Sequence, residues 1–572
     1  MVATGGLAAT LVAVAVAPGA TAADETLPVK DDAAVERPET LVAGVVYTFE
    51  KTAIAGVRDA RTSASTHASV RSAVQSSLKA RGVAVDGQAA AVDAGATWAL
   101  NFSEPLGVDA AQAAVAAVKA VPGITGVEPN YLDQAFASPV VPKDEYVKKH
   151  QWNIWDYSKR GKVGGVSWPN GGYSTHATAL WPATKGKNVV VAVLDTGRTA
   201  HPQIDGITVA GYDMVSNASR ARDGDGRDAN PQDQGDWYAG DASSWHGTHV
   251  AGIIGAKWDG ARGVGVAPGV RLQHVRVLAA GGGTSADIAA GITWASGGVV
   301  SGTSKNRTPA KVINLSLGGR HACGQMTQRA IDNARKRGSV VVVAAGNAGE
   351  SASYYGPANC KGVITVAATD EFGQRAAYSN YGNIVDIAAP GGDHPDAGFR
   401  PVLSTWNDGT TKPRNQTWGW MMGTSQAAPH VSAAAAMLYS LGLKGTAVES
   451  ALKKATSPFP KYQTNTSYNC TTSRCGTGWL NLQKVLAPVG DVKVSGTAKV
   501  GQTVTAKYDF AGKVEGYKFQ WYRNGNAIKG ATGKTRTLNS ADKGAVIKVK
   551  VTPVGSKSYV SIAKYSAGTK VG

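Results

Sequence analysis

Five apolar runs constrain this 572-residue chain more than any other feature: "NVVVAVLDTG", "VRLQHVRVL", "KVINLSLGG", "SVVVVAAGN" and "GVITVAAT". They are continuous rather than alternating. A strand with one wet face alternates, whereas a strand buried on both faces does not. Helix-like stretches separate the runs, and parallel strands need crossovers of that length. The expected core is an α/β doubly wound parallel sheet covered on both sides. In such sheets ligands bind beyond the C-terminal ends of the strands. The residues that close each run are therefore the first candidates for chemistry.

Asp195 closes the first run and Asn347 follows the fourth. His246 opens "HGTHVAGIIGA", a helix start with close-packing glycines. Ser425 lies in "WGWMMGTSQAAPHVSAAAAM", where the alanine density reads as a helix, with Pro429 in its first turn. A serine at a helix start is ordinarily a cap. A helix N-terminus also stabilises the negative charge that grows on a carbonyl under attack. Asp, His and Ser follow in that order, with gaps of 51 and 179 residues. Ser425 can attack a carbonyl while His246 takes its proton. Asp195 can hold the imidazole tautomer and steady its charge. Asn347 can point its amide at the oxyanion. Each residue alone has a bland reading as a cap or turn, but four in order do not. His249, one turn beyond His246, is left as structural.

"LDTG", "HGTHVAGIIG", "AAGN" and "GTSQAAPHV" resemble the four motifs of the subtilisin family of serine proteases. The resemblance covers roughly residues 151–485 and implies a secreted serine endopeptidase acting on proteins. It assigns the triad to Asp195, His246 and Ser425, and the oxyanion hole to Asn347. "SLGG" from Ser316, through Leu317 and Gly318, resembles the strand on which extended substrate adds. The segment ahead, with "GITGVEPNY", resembles the family's inhibitory propeptide, so the chain's own propeptide is an expected inhibitor and self-processing is expected. The chain departs from the family at Met422 and Gln426, where Ser and Met are common. Tyr355 is expected at the floor of the first specificity pocket. Six aspartates crowd between Asp223 and Asp241. Hard oxygen ligands on a Gly-rich loop suit Ca²⁺. The family's habit of binding it makes Asp223, Asp225 and Asp228 the expected structural site; a solvated loop is the alternative.

The rest of the chain is organised around that domain. Residues 1–23 carry the apolar "GLAATLVAVAVA" and small residues near Ala22, and read as a secretory signal, although no Lys or Arg precedes the run. Residues 24–137 are read as the propeptide, and from about Leu41 to Phe136 they alternate strand and helix patterns, as in a small α/β sandwich. The peptidase domain is read as 138–488. Residues 489–572 alternate and are rich in Val, Thr, Tyr and turn dipeptides, which suggests an immunoglobulin-like β-sandwich. Of the net charge of +18, most sits there: from Asp491 onward there are 15 Lys+Arg against 4 Asp+Glu. That excess marks an anionic cell-wall polymer as a candidate ligand. Nucleic acid is not expected, because the excess is nearly all Lys and no reader motif occurs. Cys470 and Cys475 close a short loop and pair, leaving Cys323 for Cys360. A monomer is expected. The competing readings are an inactive scaffold of the same fold, and a protein whose main role lies in the basic module.

Overall fold

The computed structural model describes residues 41–49, 60–92, 97–135, 138–140, 151–154, 173–259, 263–394, 400–460, 468–511, 514–555 and 559–572. The signal-peptide reading lies outside them. The five apolar runs are five neighbours in one nine-stranded sheet. Its order from one edge is Thr208–Asp213, Arg271–Arg276, Val190–Asp195, Val312–Leu315, Val340–Ala344, Ile364–Thr369, Ile387–Pro390, Trp479–Leu480 and Thr456–Ser457. Every pairing is parallel except the last.

Side-chain alternation explains why the runs are apolar throughout. Val191 and Val193 face the alanine-rich helix Thr424–Ser440, while Ala192 and Leu194 face the helix Ser285–Ala295. Burying Val, Ile and Leu on both faces contributes about 1.5–3 kcal/mol per side chain before conformational entropy is subtracted. From Val190–Asp195 the chain builds first toward one edge and then crosses to Val312–Leu315 on the other side. The order reverses between those two strands, and the crevice opens at their ends.

Ahead of the sheet lies a separate layer. Strands Ile124–Ala135, Leu41–Phe49, Thr97–Gly107 and Val85–Ala91 lie side by side, and the three pairings that join them are antiparallel. Helices Ala60–Lys79 and Val108–Lys119 complete the layer, and the unit has its own core of Val42, Val45, Tyr47, Val74, Leu78 and Leu100. Its edge strand Val85–Ala91, "VDGQAAA", carries no β-branched run and gave no strand signal in the sequence.

At the C-terminus two sheets face each other across Val504, Trp521, Leu538, Ile547, Val549 and Val551. The join to the central-sheet unit is more intimate than a boundary at 488 implies. Strand Val485–Pro488 pairs in parallel with Val560–Ser561 and antiparallel with Phe510–Ala511. Val560 and Ile562 pack into the same core as Val485 and Ala487. Among the described residues no helix is long and apolar enough to cross a membrane.

Both expected disulfides are present, Cys323–Cys360 and Cys470–Cys475. The first ties the loop after Leu317–Arg320 to the loop after the cis peptide Gly356–Pro357.

Candidate active site

The parallel register brings the site residues to one edge. Leu194 pairs with Leu315, so Asp195 and Ser316 are the next residues out of neighbouring strands. Asp195 is fully buried, and its Oδ1 accepts from Thr196 N at 2.8 Å and meets His246 Nδ1 at 2.7 Å. His246 begins the helix His246–Gly255 after Trp245, which takes a left-handed conformation (φ 53°) and donates from its indole to Gly409 O. The glycine of "HGTH" is required by this approach: a Cβ on Gly247 would lie 2.3 Å from Gly197 O and 3.2 Å from the Asp195 Cβ. Gly197 itself has φ +101°, and a Cβ there would strike Pro231 O at 2.6 Å.

Ser425 lies in the first turn of Thr424–Ser440. Its hydroxyl donates to Ser316 O at 2.9 Å, and the Ser316 hydroxyl donates to Ser425 O at 2.8 Å. This reciprocal pair locks the helix start to the strand end beside Asp195. His246 Nε2 has no hydrogen-bond partner among the described residues. Nε2 is therefore the ring nitrogen left to take a proton. Asn347 leaves Val340–Ala344 on a tight loop, and its Oδ1 accepts from Thr424 N (2.9 Å) and Thr424 Oγ1 (2.7 Å). With the carbonyl end held there, Nδ2 is the end that can donate to an oxyanion.

A buried polar shell, which sequence reasoning missed, fixes these positions. Thr196 Oγ1 donates to Asp233 at 2.6 Å and accepts from Gly247 N at 3.0 Å, tying the Asp195 turn to the His246 helix. Burial and the neighbouring Asp236 carboxyl raise Asp233 above the usual carboxylate range. Asp236 grips Ser244 by both its N–H and its hydroxyl at 2.7 Å. Asn380 accepts from Ala348 N and Glu350 N and donates to Ala345 O, pinning the loop that carries Asn347. His249 is fully buried, with Nε2 3.1 Å from Gly419 O, and burial holds it down at about 3. It packs the helix, as its reading as structural requires. Tyr355 is also buried, and its hydroxyl donates to Glu350 at 2.5 Å.

The three aspartates read as a metal site take separate partners. Asp223, Asp225 and Asp228 are not gathered, and no three His, Cys, Asp or Glu among the described residues are placed to share an ion. Asp223 meets the buried Arg276 guanidinium at 2.9 Å, and the same guanidinium meets Asp213 at 2.6 Å. A carboxylate already balanced by a fixed cation is a poor calcium ligand. Asp225 is exposed, and Asp228 accepts from Asn230 N. These residues do not fit the ion.

One strand of the N-terminal unit runs through this edge. Ala135 pairs with Leu317 and Gln134 with Gly318, antiparallel, while Leu132 and Asp133 pair with Thr284 and Gly283 on the other side. Strand Ser138–Val140 then pairs with Trp420–Met422, with Ser138 opposite Met422. Two helix N-termini receive the unit: Asn130 Oδ1 accepts from Ala286 N at 2.7 Å, and Glu128 accepts from Met326 N at 2.7 Å.

A buried Asp–His pair and a helix-start serine at the switch point of a parallel sheet define a hydrolase-type nucleophile site. The model of the Subtilase family matches residues 186–478, more than half of the chain, and the chain belongs to that family. It is 44% identical over 314 residues to an extracellular protease of Xanthomonas campestris pv. campestris, covering 53% of this chain and 51% of that protein. It is 42% identical to an extracellular basic protease of Dichelobacter nodosus, covering 47% and 46%. It is 35% identical over 378 residues to a thermophilic serine proteinase of Bacillus sp. (strain AK1), covering 64% and 77%. The chain thus spans about half the length of the first two. Among solved structures, a protease of Pseudoalteromonas arctica PAMC 21717 shares 41% identity with a TM-score of 0.52, covering 60% of this chain and 97% of that one.

Proposed function

We propose that this protein is a secreted serine endopeptidase that hydrolyses peptide bonds of proteins through an acyl-enzyme, and that it is made as a self-processing precursor. Ser425 Oγ attacks the scissile carbonyl, and His246 Nε2 takes its proton. Asp195 holds Nδ1–H and stabilises the imidazolium. Asn347 Nδ2 and backbone N–H groups at the helix start take up the charge on the oxyanion. His246 returns the proton to the leaving amine, and water then repeats the attack on the acyl-serine. The observation that carries the reading is the 2.7 Å Asp195–His246 contact, set beside a serine whose hydroxyl rests on the neighbouring strand end. The names of the relatives support secretion.

The N-terminal unit is read as the propeptide and inhibitor, because its strand occupies the edge at Leu317–Gly318 in the manner of a bound substrate. The two strand pairings bracket residues 136–137. One step along the first register lies Ser316, whose carbonyl accepts the Ser425 hydroxyl. The first cut is therefore assigned to Phe136–Ala137, one residue before the boundary read from the sequence. The remaining boundaries are kept, with a β-sandwich module after residue 488. Members of the family generally bind calcium, and calcium enters this reading only as that family property. Retention on anionic polymer, including the cell wall, is assigned to the lysine-rich module. The test is expression of the chain with and without Ser425→Ala in a protease-free host, with N-terminal sequencing of the products. The parent should yield a chain beginning at Ala137, and the variant should remain uncut. Normal processing of the variant would remove self-cleavage, and a different new N-terminus would remove the assigned bond.

A further inference from the structure

The outer face of the larger C-terminal sheet is unusual in what it collects. Strand Val546–Val554 alternates strictly: Ile547, Val549 and Val551 are buried against Trp521, so Val546, Lys548, Lys550 and Thr552 point outward. The register then places Tyr522 beside Lys548, Tyr565 beside Lys550, Lys518 beside Thr552 and Lys570 beside Val546. Outward neighbours along a strand stand roughly 7 Å apart and those on adjacent strands roughly 5 Å. Four ammonium groups thus share one flat surface. None of the four forms an ion pair among the described residues, whereas Lys564 at the margin is tied to Asp491. Two tyrosines sit among them. The Tyr522 and Tyr565 rings are 5.3 Å apart at 58°, Lys550 Nζ lies 5.5 Å from the Tyr565 ring, and Tyr565 is 49% exposed.

Like charges at this spacing repel, and a bound anion relieves the repulsion. We propose that this face, built on Lys518, Lys548, Lys550, Lys570, Tyr522 and Tyr565, is a docking surface for a linear polysaccharide bearing carboxylates. The inference rests on the assignment of anionic-polymer retention to this module and names where and how it occurs. Lysines alternating along neighbouring strands match a polymer with repeated charge, and exposed tyrosine supplies a flat apolar platform for the C–H face of a sugar ring. Nucleic acid fits less well. The module's two arginines, Arg523 and Arg536, are both engaged by Asp542, so no guanidinium fork is left for phosphate. Rings inclined at 58° also give no pair of parallel platforms for successive bases.

The experiment uses the full Ser425→Ala chain, which cannot digest itself, on immobilised polygalacturonate across a salt series, with neutral dextran and a single-stranded oligothymidine as comparison ligands. The face variant is Lys548→Glu with Lys550→Glu. The control is Lys493→Glu with Lys507→Glu, two exposed lysines paired on the opposite sheet, which change the net charge equally. The face variant should weaken polygalacturonate binding roughly tenfold or more, and the control less than about threefold. Tyr565→Ala should weaken it severalfold at unchanged charge. Unchanged melting temperatures confirm that each variant is folded. Equal losses in face and control variants would overturn the face while leaving polymer retention standing. No retention of the parent chain would overturn both. Tighter binding to oligothymidine than to polygalacturonate would overturn the ligand class.

Discussion

Asp195→Asn isolates the charge of the buried carboxylate from its shape. In the parent, Oδ1 accepts from Thr196 N and meets His246 Nδ1, both within 2.8 Å, while Oδ2 has no hydrogen-bond partner among the described residues. An asparagine keeps one oxygen for those contacts and adds no buried charge, so the fold should tolerate it. The imidazolium formed in the transition state loses its counter-charge. With the heavy atoms 2.7 Å apart, the charge centres are about 4 Å apart, where an effective dielectric near 20 gives about 4 kcal/mol. That corresponds to roughly a thousandfold in rate. The assay is kcat/KM on a chromogenic peptide, with the melting temperature measured in parallel. A thousandfold loss at nearly unchanged melting temperature is expected. A loss below tenfold would mean that Asp195 supplies little charge stabilisation. A collapse of the melting temperature would place its role in folding.

Asn347→Ala should fold and still label at Ser425 with a fluorophosphonate, yet lose roughly 10²–10³ in turnover, the loss seen when an oxyanion-hole asparagine is removed from a subtilisin. Met421 is fully buried and Met422 nearly so, and Gln426 stands where an oxidisable methionine is common in the family. Millimolar peroxide should therefore spare casein hydrolysis in the parent and inactivate Gln426→Met. His249 is held at about 3 against an unfolded value near 6.5, so the stability tied to its neutral form is complete above pH 6.5 and is lost as pH falls toward 3. In His249→Gln the fall in unfolding free energy between pH 6 and 4 should be shallower by about 1.4 kcal/mol per pH unit, measured by denaturant titration. Ile562→Ala, in the core shared by peptidase and module, should cost about 2–5 kcal/mol and lower the thermal resistance of the peptidase.

The strands of the central sheet were legible in the sequence because burial on both faces leaves no polar position to interrupt an apolar run. Asp195, His246, Asn347 and Ser425 were legible because each stands where such a run or a helix begins or ends. The two disulfides followed from having only four cysteines, two of them five residues apart. Hydrogen bonds and ion pairs between distant residues outside the motifs were not legible, because their partners share no local pattern. Thr196 meets Asp233 across 37 residues, Asn347 meets Thr424 across 77, and Arg276 takes Asp223 across 53. The last of these ties one of the aspartates read as a calcium ligand to a fixed cation. Composition counts carboxylates, but only the tertiary structure decides which of them a buried guanidinium has already neutralised. The same holds for the basic module: its lysine excess is written in the sequence, while strand register alone brings four of those lysines and two tyrosines onto one face.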